Sequence, residues 1–172
     1  VSEFAQGMAK RKSIYISFPQ AVPSKPMIDK DHCTMLTKGK CGICAKVCPL
    51  GCIDFKDEDK FVTDTFGAII LATGYDLIDW TQLYGEYGYG KYKDVISGLQ
   101  FERMSNAGGP TEGRIVRPSD GETPKNVVIV KCVGSRDANK GKAYCSRACC
   151  MYGAKHAHQV LEKCAPDANA YV

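Results

Sequence analysis

Cys33, Cys41, Cys44 and Cys48, with Pro49 directly after the last, are the residues of this chain whose types and spacing best suit chemistry. The segment CGICAKVCP reads C-x2-C-x3-C-P, and TMLTKGK separates Cys33 from it. A cubic iron–sulfur cluster needs thiolates converging from several directions, so a short turn has to wrap it, and a proline stops the chain from continuing as helix. The chemistry implied is one-electron transfer. A structural zinc site is the open alternative, although it usually takes a second C-x2-C or a histidine pair, whereas here C-x2-C runs into C-x3-C-P. Cys33 is the weak member because of its long loop. Cys52, four residues past Cys48, reads as a small buried apolar residue and not as a ligand.

A second constellation follows downstream: Cys132, then VGSRDANKGKAY, then Cys145, Cys149 and Cys150, giving C-x12-C-x3-C-C. The pattern from about Tyr144 to Lys163 is helical, with Cys150, Ala154, Ala157 and Leu161 on one face, and Cys145 and Cys149 one turn apart on another. Thiolates in a first helical turn are favoured by the positive end of the helix dipole. On residues alone, three readings stay open for this set: a cluster, a redox-active thiol or disulfide, and buried packing cysteines. Lys131, Arg136 and Arg147 lie near it and read either as electrostatic tuners or as solvated surface charges. Cys164 is left over and reads as inert. His32, His156 and His158 read as non-ligands, since two residues apart on a helix do not face one site. No Ser–His–Asp or paired-carboxylate arrangement emerges.

The elements that must position these thiols are uneven along the chain. Ile14–Phe18 has the make-up of a short strand, and Pro19, Pro23 and Pro26 then hold an extended linker. Met27–Asp29 and Ile53–Phe55 are expected to flank the first cysteine module as short strands, with KDEDK closing it. Gly67–Ala72 is a continuous apolar run ending in Thr73-Gly74, and it reads as a strand buried on both faces of a larger α/β sheet. The Tyr- and Gly-rich stretch from Tyr84 to Tyr92 reads as irregular; its tyrosines and Trp80 suit ordinary packing, with flavin or partner cover as the alternative. Ser97 is placed to cap a helix running to about Asn106, and Val127–Val130 reads as a second buried strand.

A chain of 172 residues with ten cysteines has size enough for a core without staples. It carries no signal peptide and no apolar run long enough to span a bilayer, and its cysteine spacings suit metal sites better than a disulfide ladder. A reducing compartment, the cytoplasm, is therefore expected. The formal charge of +4 is weak evidence for nucleic acid, because two four-thiolate [4Fe–4S] clusters would cancel it and no basic, aromatic-interleaved run is present.

KCVGSRD and YCSRACCMYGAKHA resemble the signature of the A subunit of heterodisulfide reductase and of the A subunit of the quinone-interacting membrane-bound oxidoreductase complex. IYISFPQAVPSKPMID, GAIILATGYD and GGPTEGRIVRPSDGETPKNVVIV resemble the same family, so the likeness covers nearly the whole chain. It implies an α/β fold: part of a thioredoxin-reductase-like FAD domain over 61–172, joined to part of an inserted ferredoxin-like module over 1–60. It further implies a [4Fe–4S] cluster at Cys132, Cys145, Cys149 and Cys150 near a flavin. An oxidoreductase passing single electrons between FAD and clusters follows, with other subunits of such a complex and donors such as ferredoxin or hydrogenase as partners. Ala72, Thr73 and Gly74 resemble the shorter flavin-contacting turn of these folds, while the G-x-G-x-x-G fingerprint is missing. That gap, the start at Val1 and the ending PDANAYV raise the expectation of an internal piece of a larger flavoprotein. In two-cluster ferredoxins the cysteine before proline serves the other cluster, so Cys48 is expected either to close the local site or to serve one completed upstream.

Overall fold

The computed structural model describes residues 1–79, 81 and 85–172. Trp80 and Tyr84, assigned above to packing or flavin cover, lie outside the described residues. The chain divides into two units, one comprising 11–76 and the other 1–10 together with 77–172. The boundary thus falls at Asp76, not at Lys60, and the first ten residues belong with the second unit.

In the first unit, β1 (Ile14–Tyr15) pairs antiparallel with β2 (Met27–Ile28), with Ile14 opposite Ile28. The expectation that Ile53–Phe55 would flank the module as a strand is not met; β1 occupies the place beside β2. The connection from β1 to β2 contains a turn in which Ala21 N–H donates to Phe18 O at 3.0 Å. Two five-residue helices follow, α1 (Thr34–Lys38) and α2 (Ile43–Val47).

Gly67–Ala72 corrects the sequence reading most sharply. It forms no strand, and Ile69, Ile70 and Leu71 are 83–91% exposed. A strand buried on both faces needs ladder partners and cover from two sides. The strands of its own unit are two residues long and paired with each other.

The second unit is built on a parallel crossover. β3 (Asn126–Val128) and β4 (Asn169–Tyr171) lie side by side in parallel, joined by α4 (Cys149–Lys163), after the shorter α3 (Gly98–Ser105). Parallel neighbours cannot be joined by a tight turn, so an intervening helix has to return the chain along the sheet. β3 is shorter than the expected Val127–Val130 strand and is not buried as expected, Val128 and Val130 being exposed because β3 pairs only with β4 among the described residues, though Ile129 N–H still donates to Tyr171 O at 2.8 Å. Ser97 caps α3 as its type suggests: its hydroxyl accepts from Gln100 N–H at 2.9 Å while Gln100 Oε1 accepts from Ser97 N–H at 2.9 Å. Phe101 and Met104 from α3, Ile115, and Val160 and Cys164 from the far end of α4 make the buried core, with Val127 and Ala170 packed against it.

α4 begins at Cys149, later than the expected Tyr144, because Arg147 holds φ at 59° and a left-handed residue cannot lie inside a right-handed helix. Its buried face is Cys149, Gly153, His156 and Val160. That is the expected i, i+4, i+7, i+11 stripe moved back by one residue, so Cys150, Ala154 and Leu161 face outward. His156 scores as polar in a pattern, yet it is buried because Glu102 satisfies its ring at 2.8 Å.

Candidate metal centre

The four cysteines of the first set are placed by the two short helices. Cys33 precedes α1 as its N-cap; its N–H donates to Asp29 O at 2.9 Å and its carbonyl accepts from Thr37 N–H at 2.9 Å and Thr37 Oγ1 at 2.8 Å. Asp29 is held in turn by Arg11 at 2.8 Å and His32 at 3.0 Å. Cys41 takes φ 146° and Gly42 φ 92°, so two successive residues with positive φ turn the chain sharply into α2. Cys44 lies within α2, and Cys48 ends it in an extended conformation ahead of Pro49. Cys44 and Cys48 therefore share a face one turn apart.

Cys52 departs from the sequence reading. It is exposed, not buried, and its sulfur lies 3.5 Å from that of Cys48. Backbone N–H groups of Cys52 and Leu50, then the Cys52 thiol, hold the Cys48 thiol below its ordinary pKa, while the hydrogen bond and charge of Cys48 raise that of Cys52.

The second set stands around one end of the crossover. Cys132 follows β3 at its C-terminal end, and Cys149 and Cys150 open α4. This is the place where α/β sheets bind their ligands, outside the carboxyl ends of parallel strands. The loop between is tied back on itself: Ser135 N–H donates to Cys132 O at 3.1 Å, and Arg136 N–H donates to Tyr144 O at 3.1 Å, next to Cys145. Cys132, Arg136 and Arg147 hold φ at 60°, 59° and 59°, a left-handed conformation that non-glycine residues adopt at a cost and that clusters at functional sites. Gly153 on α4 lies beside the Lys131 side chain. A Cβ there would stand 2.9 Å from Lys131 Cε, next to Cys132.

Cys149 is the buried thiol of this set. Burial works against its thiolate, but hydrogen bonds from Ser146 Oγ at 3.7 Å, the Cys132 N–H and the Cys150 thiol outweigh it and hold its pKa below the usual thiol value. Ser146 went unnoticed in the sequence; a hydroxyl three residues ahead of a helix-opening cysteine was its only signal. Of the three nearby cations, Arg136 reaches a sulfur, its Nη1 donating toward Cys132 Sγ at 3.9 Å, whereas Arg147 donates its backbone N–H to Cys145 Sγ at 3.3 Å. Cys145 lies before α4 and does not share the helix face expected with Cys149. Cys164 is buried in the core, and burial pushes its thiol up, as suits an inert packing residue.

Both sets are all-thiol donor sets, which fits iron–sulfur chemistry. Among the described residues no three His, Cys, Asp or Glu side chains are gathered closely enough to hold a metal ion. The thiols are thus placed by their elements without being drawn into a closed cage, and in metal sites the binding energy itself commonly does that drawing in. Ala72, Thr73 and Gly74 stand exposed in an irregular stretch, with nothing within 4 Å of a Cβ built on Gly74. No helix among the described residues is long and apolar enough to cross a membrane.

No protein-family model matches the chain. It is 48% identical over 160 residues to the A subunit of H(2):CoB-CoM heterodisulfide,ferredoxin reductase from Methanothermobacter thermautotrophicus, a match covering 93% of this chain and 23% of that protein. To the iron-sulfur A subunit of CoB-CoM heterodisulfide reductase from Methanocaldococcus jannaschii it is 47% identical over 171 residues, covering 99% of this chain and 25% of the relative. The A subunit of ferredoxin:CoB-CoM heterodisulfide reductase from Methanosarcina mazei is 43% identical over 157 residues, covering 91% and 19%. The chain therefore spans about a quarter or less of the length of the curated relatives it matches.

Proposed function

Because this chain belongs to the family of heterodisulfide reductase A subunits, matching one stretch of them, we propose that it is an iron–sulfur, electron-carrying part of an oxidoreductase subunit of that type. The observation that carries the reading is the crossover. It brings Cys132 from the end of β3 and Cys149 and Cys150 from the start of α4 to one edge of a parallel pair, with left-handed backbone at Cys132, Arg136 and Arg147. Cys132, Cys145, Cys149 and Cys150 would hold one [4Fe–4S] cluster, and Cys33, Cys41, Cys44 and Cys48 another. A bound cluster supplies one-electron redox chemistry.

This chain's own residues do the rest. Cys149 contributes a thiol already biased toward the thiolate that ligation requires, through Ser146 and the Cys132 N–H. Arg136 offers a positive charge and a hydrogen bond to Cys132 sulfur, which favours the more negative, reduced state of a neighbouring centre. FAD enters the proposal for the whole subunit through the family likeness, with Ala72, Thr73 and Gly74 as the contacting turn. The exchange of single electrons between FAD and the clusters, the reduction of a CoB-CoM heterodisulfide, association with the other subunits of such a complex, and ferredoxin or hydrogenase as donor are likewise proposed for the whole subunit.

Iron and acid-labile sulfide counted per chain after anaerobic purification test the reading. Bound iron and sulfide in equal amounts, with a brown colour bleached by dithionite, is the expected result, and Cys132→Ser or Cys149→Ser should lose one site's share. A colourless, folded protein holding stoichiometric zinc would overturn it.

A further inference from the structure

Cys52 has no part in either proposed iron site, yet its sulfur stands 3.5 Å from that of Cys48. The backbone builds this contact. Pro49 turns the chain out of α2, Gly51 takes φ 58°, and Gly51 N–H donates to Cys48 O at 3.2 Å, so the residues on either side of Pro49-Leu50-Gly51 are folded back toward each other. Both thiols are within reach of solutes, Cys52 being exposed and Cys48 half-buried. Neither lies inside a helix or strand, so side-chain rotation can bring the sulfurs from 3.5 Å to the ~2.05 Å of a disulfide without breaking a regular element.

We propose that Cys48 and Cys52 are a thiol pair that closes reversibly to a disulfide whenever Cys48 is not bound to iron. With a small-molecule disulfide as oxidant, one protein thiolate attacks it, forming a mixed disulfide and releasing one small thiolate. The second protein thiolate then attacks the protein sulfur of that mixed bond and expels the other small thiolate. In sum, two protein thiols give up two electrons and two protons, and the oxidant leaves as two thiols. Closure withholds Cys48 from iron and from irreversible oxidation, and reduction must precede loading. That consequence rests on the reading of Cys48 as an iron ligand; the disulfide itself does not.

The metal-free 172-residue chain, reduced and then incubated anaerobically with oxidised glutathione, provides the test. Trypsin cuts after Lys46 and Lys56, so both thiols fall in the single peptide Val47–Lys56. After alkylation of the remaining thiols, that peptide should be unalkylated and lighter by two hydrogen atoms, and dithiothreitol should reverse the change. In Cys52→Ser, Cys48 should instead retain glutathione. Full alkylation of both cysteines, glutathione persisting on Cys48 in the unaltered chain, or Cys48 bonded to another cysteine would each overturn the proposal. Iron uptake by the reduced chain is scored separately: closure without iron uptake would refute only the iron reading, and uptake without closure only this one.

Discussion

Glu102→Ala is expected to loosen the joint between α3 and α4 and with it the buried thiol at the head of α4. The carboxylate serves two donors, accepting from His156 Nε2 through Oε1 at 2.8 Å and from Lys155 Nζ through Oε2 at 2.7 Å. His156 is 4% exposed and packs against the rings of Phe101 and Tyr152 at 4.4 and 5.4 Å, so water cannot replace the lost acceptor freely. A buried donor left without a partner costs about 1–3 kcal/mol. The Lys155 side chain is half-exposed, and its pair contributes at most ~1 kcal/mol. Glu102→Ala should therefore destabilise the chain by about 1–3 kcal/mol, and Lys155→Ala by less than ~1 kcal/mol. Urea unfolding followed by far-ultraviolet circular dichroism reads the difference, and mass-resolved alkylation of the native protein should find Cys149 reacting faster in Glu102→Ala. Burial pushes the Glu102 carboxyl up, but the hydrogen bonds from Lys155 and His156 win and hold it below its ordinary value. Its contribution is accordingly present above the usual carboxylate pKa and lost as pH falls through the depressed folded value. Equal midpoints for the two variants at neutral pH would refute the argument that the buried imidazole is the costly partner.

Asp29 offers a second acid-sensitive point. Burial alone would raise its carboxyl, yet His32 and Arg11 bring it down to about 2, so its support for the start of α1 should persist above pH ~4 and fade toward pH ~2. Hydrogen-exchange protection at His32 N–H, which donates to the Asp29 carboxylate at 3.1 Å, should fall over that range and should already be low in Asp29→Ala at neutral pH. Met104→Ala, at a core position 2% exposed, should cost ~2–5 kcal/mol, whereas Leu161→Ala, on the outward face of α4, should stay within ~0.5 kcal/mol in the same urea titration. Arg136→Ala should lower the reduction potential of the centre proposed at Cys132, while Arg136→Lys restores part of it; redox titration followed by electron paramagnetic resonance measures both, and unshifted potentials in both would remove Arg136 from the site.

Local chemistry was legible wherever neighbours in sequence are also neighbours in space. The Ser97 cap and its reciprocal Gln100 contact span three residues, and α3 follows from them. The crossover was half legible: a strand near Val127 and a helix ending near Lys163 both exist, but hydrophobic pattern placed the buried stripe of α4 one residue late. The error has a single physical source. Glu102, on another helix, makes a histidine buriable, and no feature of the α4 sequence announces that partner.

The cysteine spacing, with Pro49 after Cys48 and C-x12-C-x3-C-C downstream, marked two candidate thiol sets, because ligand spacing is local, while strings such as KCVGSRD and YCSRACCMYGAKHA carried the family resemblance. Which thiol is buried, which is hydrogen-bonded and which stands 3.5 Å from a neighbour was decided by the fold: by left-handed turns at Cys132 and Arg147, by the Ser146 hydroxyl beside Cys149, and by the bend at Gly51. The apolar run at Gly67–Ala72 marks the same divide from the other side. Its composition specifies a strand, but a strand exists only where another strand meets its backbone hydrogen bonds and side chains cover its faces, and those are properties of the surrounding structure.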